Sequence, residues 1–151
     1  MHELKRILLV EDNPNDVELA LTAFEDAKVA NEVVVARDGA EALDYLYRRG
    51  AYAGRLPGNP AVVLLDLKLP RIDGLEVLRT IRAEPQLKTL PVVALTSSRE
   101  EPDLARCYEL GVNAYVVKPV NFPDFIEAAR NLGVFWALIN EPPPGSVPAP
   151  R

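Results

Sequence analysis

The sequence predicts an α/β fold of five short parallel strands alternating with five helices, (βα)5, in one domain. Three observations predict it. Apolar, β-branched runs of three or four residues recur along the chain. Amphipathic helical stretches fall between them. The runs are continuously apolar rather than alternating, as strands are when helices cover both faces of a parallel sheet. A length of 151 residues suffices for one domain with a sizeable core. No internal repeat suggests another architecture.

The strands, in order, are Ile7–Val10, Val33–Val35, Val62–Leu65, Val92–Leu95 and Ala114–Val117. The first helix is expected over Asn15–Lys28, with Val17, Leu19, Ala20, Ala23, Phe24 and Ala27 as its apolar residues. The second spans Asp38–Arg49. Asp38 with Glu41 three residues on has the form of a capping box, and Ala42, Leu43 and Leu46 make the stripe. Asp73 and Gly74 open the third, which carries Leu75, Val77, Leu78 and Ile81 and stops before Pro85. The fourth, Glu101–Leu110, has Pro102 in its first turn and Gly111 as its stop. The fifth is the longest, Asn121–Asn140, with Phe122, Phe125, Ile126, Ala129, Leu132, Trp136 and Ile139 as its core stripe. Between the second helix and the third strand, Gly50–Pro60 reads as a long surface loop. The main unit is thus expected over residues 1–140. The tail 141–151, EPPPGSVPAPR, cannot continue a helix and reads as extended or disordered.

Hydrophobic residues make up 48% and charged residues 26%, as in an ordinary soluble domain. The net charge of -5 lacks the basic face that phosphate neutralisation needs, so nucleic acid is not expected as a partner. A single cysteine, Cys107, rules out an internal disulfide. The opening MHELKRILLV turns acidic too soon for a signal peptide or a membrane span. A cytoplasmic location, with no membrane partner, is the expectation.

Open α/β sheets bind ligands at the carboxyl ends of their strands. Glu11 and Asp12 follow the first strand, Asp66 the third, Thr96, Ser97 and Ser98 the fourth, and Lys118 with Pro119 the fifth. Each has an ordinary explanation alone: Asp12 can cap the helix after Pro14, Thr96 can start a turn, and Lys118 can be a solvated end residue. Together those explanations weaken. Crowded carboxylates raise one another's pKa and persist when a cation joins them. Mg²⁺ suits such oxygen ligands. Asp12 and Asp66 each offer one oxygen, Glu11 binds directly or through a water, and the backbone carbonyl of Lys68 can add another. Three carboxylates then balance the Lys118 ammonium and one divalent ion.

An aspartate in such a pocket can act as a nucleophile toward phosphorus, because phosphoryl transfer is catalysed mainly by positioning and charge neutralisation. Asp66 would accept the group, Lys118 neutralise one oxygen, and Thr96 donate its hydroxyl. An ionised carboxylate needs no base, and the single histidine, His2, is terminal.

Glu11–Asp12, Asp66 at the end of the third strand, Thr96, and the run Tyr115-Val-Val-Lys118-Pro119 together resemble the receiver domain of bacterial two-component response regulators, from about Lys5 to Leu132. The resemblance implies a flavodoxin-like doubly wound fold with strand order 2-1-3-4-5. It implies phosphorylation of Asp66 from the phosphohistidine of a sensor histidine kinase, autocatalytic hydrolysis of the aspartyl phosphate, and no other enzymatic activity. It also implies a cis peptide between Lys118 and Pro119, and a switch in which Thr96 moves to the phosphoryl group while Tyr115 swings inward. Lys68 and Ser98, two residues beyond Asp66 and Thr96, would border the path of hydrolytic water, Lys68 affecting lifetime more than formation.

No helix-turn-helix, zinc site or catalytic domain follows, so output is expected through protein contact. On the last helix Val134, Phe135 and Leu138 are left outside the core stripe, and a second apolar face suggests an interface, here a homodimer. The stretch NLGVFWALINEPPP is similar to the C-terminal extension of response regulators that partner bacterial or cyanobacterial phytochromes. The alternatives are a phosphate sink, a non-phosphorylated scaffold and an aspartyl-nucleophile phosphatase. Lys68, where a phosphatase of the haloacid-dehalogenase type carries a second acid, argues against the last.

Overall fold

The computed structural model describes residues 6–30 and 33–146. His2, Lys5 and residues 147–151 of the tail lie outside the described residues. The elements are β1 (Ile7–Val10), α1 (Pro14–Asp26), β2 (Val33–Ala36), α2 (Gly39–Tyr47), β3 (Val62–Leu65), α3 (Gly74–Ala83), β4 (Val92–Thr96), α4 (Glu101–Glu109), β5 (Ala114–Val117) and α5 (Phe122–Val134). All neighbouring strands pair in parallel, in the order β2-β1-β3-β4-β5. The predicted alternation and strand order are therefore observed.

The continuous apolar runs serve two cores at once. Ile7, Leu9, Val62, Leu64 and Val93 face α1 and α5, where Phe24, Phe125 and Ala129 are buried. Leu8, Val10, Val63, Leu65, Val92 and Ala94 face α2 to α4. The period-2 alternation of strand side chains thus divides one apolar run between two layers. The central strands β1, β3 and β4 are wholly buried, while edge strand β5 is half-buried throughout.

Short polar side chains start the helices as the sequence implies. Asp38 accepts from the Glu41 N–H at 2.7 Å, and the Glu41 carboxylate reaches back to the Arg37 N–H at 2.9 Å. Asp73 caps α3 through the Glu76 N–H, and Asn121 caps α5 through the Asp124 N–H.

One region differs from expectation. The last helix continues as a single wide π turn, Phe135–Ile139, where the Asn140 N–H donates to the carbonyl of Phe135 at 2.7 Å. The wider turn advances the inward face by one position. Ala137 is buried and Leu138 packs on the core, while Ile139, expected inside, is 65% exposed. Phe122, the first helical residue, is also exposed rather than core. Of the three residues left outside the stripe, Leu138 belongs with the core, Val134 is half-buried and Phe135 is exposed.

The Gly50–Pro60 connection is a surface loop, as expected, and it is fastened down. Gly50–Tyr52 forms a 3₁₀ turn, and the Tyr52 hydroxyl donates to Glu41 at 2.6 Å. The Arg55 guanidinium lies over the Tyr45 ring, 4.1 Å from its centroid, and donates to the carbonyls of Tyr45, Leu46, Leu56 and Gly58. The tail joins here: the Asn59 N–H donates to Gly145 O at 2.9 Å, and Asn59 bridges Ser146.

Candidate functional site

Register brings the acids together. Val10 pairs with Leu65 across β1 and β3, so the next residues, Glu11 and Asp66, leave the sheet side by side. The Asp66 N–H still donates to Val10 O at 3.1 Å. Gly74 lets α3 begin directly beneath this corner. A Cβ there would lie 2.2 Å from the Asp66 carbonyl oxygen and 2.6 Å from Leu67 Cα.

Carboxylate oxygens of Glu11, Asp12 and Asp66 lie within 4.8 Å of one another. Glu11 and Asp66 are buried, and Asp12 is exposed. Lys118 leaves the end of β5 and its buried ammonium donates to Glu11 at 2.5 Å, to Asp16 at 2.8 Å and to Asp66 at 3.1 Å. The reading of Lys118 as a solvated end residue is therefore excluded. Asp12 does not cap α1 either: Asn13 does, accepting from the N–H groups of Asn15 and Asp16, while its own N–H donates to Glu11.

The electrostatics are unbalanced. Four carboxylates face one ammonium. Burial pushes the Glu11 carboxyl up to about 7, against the pull of Lys118, and the neighbouring Asp66 charge adds to the rise. Burial works against the Lys118 ammonium, but its bonds to Asp16 and Glu11 outweigh that and hold it protonated above the usual lysine range. Hard oxygen donors, a net negative pocket and one open, exposed member fit a divalent cation such as Mg²⁺. Glu11, Asp12 and Asp66 would hold it. The carbonyl of Lys68 accepts no hydrogen bond among the described residues, whereas that of Leu67 accepts from the Gly74 N–H.

Thr96 ends β4 and is wholly buried, its hydroxyl oxygen accepting from the Ser98 N–H at 3.3 Å. Tyr115 packs against the core on the α2 to α4 side, and its hydroxyl donates to Ser98 O at 3.1 Å, on the loop that follows Thr96. The Lys68 N–H donates to Asp66 Oδ1 at 3.2 Å, but its side chain turns to Asp103, 3.8 Å away. Among the described residues every peptide bond is trans, Lys118–Pro119 included, so the expected cis bond is corrected. The trans form is intrinsically favoured before proline by about 0.5–1 kcal/mol.

One member of the site was not read from the sequence. Asp16 lies in the first turn of α1 and reaches Lys118 from there. Its signal was present: a helix opening immediately after the Glu11–Asp12 pair must bring its first turn back over them.

Fold and site define a doubly wound α/β domain with a cation-seeking acidic pocket at its strand ends. The sequence model of the family described as "Response regulator receiver domain" matches residues 7–130, and the chain belongs to that family. It is 39% identical over 132 residues to response regulator Rcp1 of Synechocystis sp. PCC 6803, covering 87% of this chain and 88% of Rcp1. The crystal structure of "the Mn(2+)-bound form of response regulator Rcp1" superposes with a TM-score of 0.85 at 38% identity, over 92% of this chain and 99% of that one. The structure of "the Phosphorylated Cyanobacterial Phytochrome Response Regulator RcpA" gives 0.86 at 41% identity, over 93% and 99%. That of the bacteriophytochrome response regulator AtBRR gives 0.73 at 66% identity, over 93% and 100%. The chain is thus a receiver of two-component signalling related to the phytochrome response regulators.

Proposed function

We propose that this chain is a phospho-accepting response regulator in which Asp66 takes a phosphoryl group from the phosphohistidine of a sensor histidine kinase, with Mg²⁺ as cofactor. One observation carries the reading: Asp66 sits beside the buried Lys118 ammonium, within a group of carboxylate oxygens close enough to share one cation. An Asp66 oxygen attacks phosphorus as the bond to the histidine nitrogen breaks. Lys118, already hydrogen-bonded to Asp66, neutralises charge on the transferred group. Thr96 offers its hydroxyl, and Tyr115, bonded to the loop beyond Thr96, transmits its movement to the α4 side. Glu11, Asp12, Asp66 and the Lys68 carbonyl would hold Mg²⁺, which when bound would supply charge neutralisation for the phosphoryl oxygens. Apart from this transfer and the autocatalytic hydrolysis of the aspartyl phosphate by water, the chain has no enzymatic activity.

A phytochrome-type kinase is the favoured partner, because relatives described as cyanobacterial phytochrome and bacteriophytochrome response regulators cover nearly the whole chain. The functional unit is residues 1–140 with the 141–151 tail, in the cytoplasm. Homodimers form through the end of the last helix, where Phe135 and Ile139 are 44% and 65% exposed.

The test loads the purified chain with acetyl phosphate and Mg²⁺ and separates phosphorylated protein by phosphate-affinity electrophoresis. Wild type should shift, and Asp66→Asn should not. Equal shifts in both would remove Asp66 as acceptor, and no shift in wild type would leave a scaffold. Light scattering on Phe135→Glu should report a monomer; an unchanged mass defeats the dimer.

A further inference from the structure

Asp103 lies in the first turn of α4, where a carboxylate ordinarily faces solvent beside the helix N-terminus. Here its side chain is only 18% exposed, and one oxygen, Oδ2, gathers two neighbours. The Ser98 hydroxyl donates to it at 2.6 Å, and the Lys68 ammonium stands 3.8 Å away. Lys68 and Ser98 come from different loops, after β3 and after β4. Each is itself tied to the acceptor corner. The Lys68 N–H donates to Asp66 Oδ1, the Ser98 N–H donates to the Thr96 hydroxyl oxygen, and Ser98 O accepts from Tyr115. Asp103 is thus the point where the two loops beside Asp66 are joined to α4.

We propose that Asp103 is a positioning residue that sets the lifetime of the aspartyl phosphate, by drawing Lys68 and Ser98 toward α4 and away from the mouth of the Asp66 pocket. This rests on Asp66 being the acceptor. In hydrolysis a water oxygen forms a bond to phosphorus, the bond from phosphorus to the Asp66 oxygen breaks with its electron pair returning to the carboxylate, and the proton goes to solvent. Water must reach phosphorus opposite Asp66. Lys68 has a flexible stem, its side chain is 69% exposed, and it lies two residues past Asp66. Once a phosphoryl dianion is present, its ammonium has two anions to choose from. Asp103 competes for it and keeps it off the line of approach. With an amide at position 103, Lys68 settles on the phosphoryl group and hinders water. A partly exposed ion pair is worth about 0.2–1 kcal/mol, so the expected lengthening is about 1.4- to fivefold.

The experiment follows decay of phosphorylated full-length chain after removal of acetyl phosphate in constant Mg²⁺, for wild type, Asp103→Asn, Asp103→Glu, Lys68→Ala and the Lys68→Ala/Asp103→Asn pair. Asp103→Asn should decay about 1.4- to fivefold more slowly, with a smaller change in its rate of formation. Asp103→Glu, which keeps the charge, should return toward wild type. In the Lys68→Ala background the amide should have no further effect. A wild-type decay rate for Asp103→Asn overturns the proposal, and so does full lengthening without Lys68. Ser98→Ala keeps it falsifiable if Asp103→Asn folds poorly: freeing Asp103 from its hydroxyl partner strengthens its hold on Lys68, so decay should quicken, and slower decay overturns it. Wild type that takes up no phosphate fails at the earlier step and overturns the acceptor reading with this one.

Discussion

At the carboxyl ends of the strands, one buried ammonium on Lys118 meets three carboxylates, with a fourth on Asp12 nearby. At the amino end of β3, one half-buried guanidinium on Arg55 meets four carbonyl oxygens and an aromatic face. Both arrangements join chain segments distant in sequence through a single cation. At Arg55 the acceptors are neutral dipoles that solvate the guanidinium, and no anion is drawn into the cluster. At Lys118 the acceptors are anions and outnumber the cation. The first is closed and serves only to fasten a loop. The second carries an excess of negative charge that a further cation would offset.

The largest test of this contrast is Lys118→Met. Removing one partner of a buried ion pair leaves uncompensated charge and costs about 3–5 kcal/mol. The loss should show in urea unfolding with chelator present. Millimolar Mg²⁺ should recover part of it, and adding Glu11→Gln should recover more. A variant as stable as wild type in chelator would mean that the carboxylates do not depend on the lysine. Arg55→Met is the matching test at the other end. It strands carbonyls that accept from a charged donor, at about 1.5–3 kcal/mol for such bonds. It should leave phosphorylation of Asp66 and its response to Mg²⁺ unchanged. An altered phosphorylation rate would show that the two ends of the sheet are coupled.

Much of the carboxyl end was legible because a parallel sheet imposes it. Continuous apolar runs fix the strands, and the first polar residue after each run then falls on one edge, as Glu11, Asp66 and Lys118 do. Asp16 was missed because it belongs to a helix, and a reading confined to strand ends stops one turn short. The amino end was opaque for a different reason. Arg55 in a Gly- and Pro-bearing stretch looks like a solvated loop residue, and only the fold shows that the last turn of α2 points its carbonyls at it. The end of the last helix misled as well. Phe135–Ile139 is apolar all round, so no pattern marks the π turn that exchanges Leu138 for Ile139. The cis bond came from resemblance alone.

The smallest expected effect lies between the two ends, at the cap of α2. What burial Asp38 has raises its carboxyl pKa, but the Glu41 N–H and the Arg71 guanidinium outweigh this and hold it below the usual aspartate range. A depressed folded-state pKa contributes stability that is present above the unfolded value and lost as pH falls through the folded one. Replacing an N-cap aspartate costs about 1 kcal/mol. Asp38→Ala should therefore lose about that much at pH 7, and the gap from wild type should narrow once the pH falls below about 3.9. The cap draws on a backbone N–H and a surface guanidinium, with no part in the acidic pocket, so Mg²⁺ should leave the gap unchanged. Unfolding curves of the two proteins from pH 7 down to pH 3, with and without Mg²⁺, read both quantities. A gap that stays constant through this range would show that the Asp38 oxygen caps α2 as well protonated as ionised. A gap that follows Mg²⁺ would join α2 to the site through Arg71, which pairs with Asp38 at 3.0 Å from the loop between Asp66 and α3.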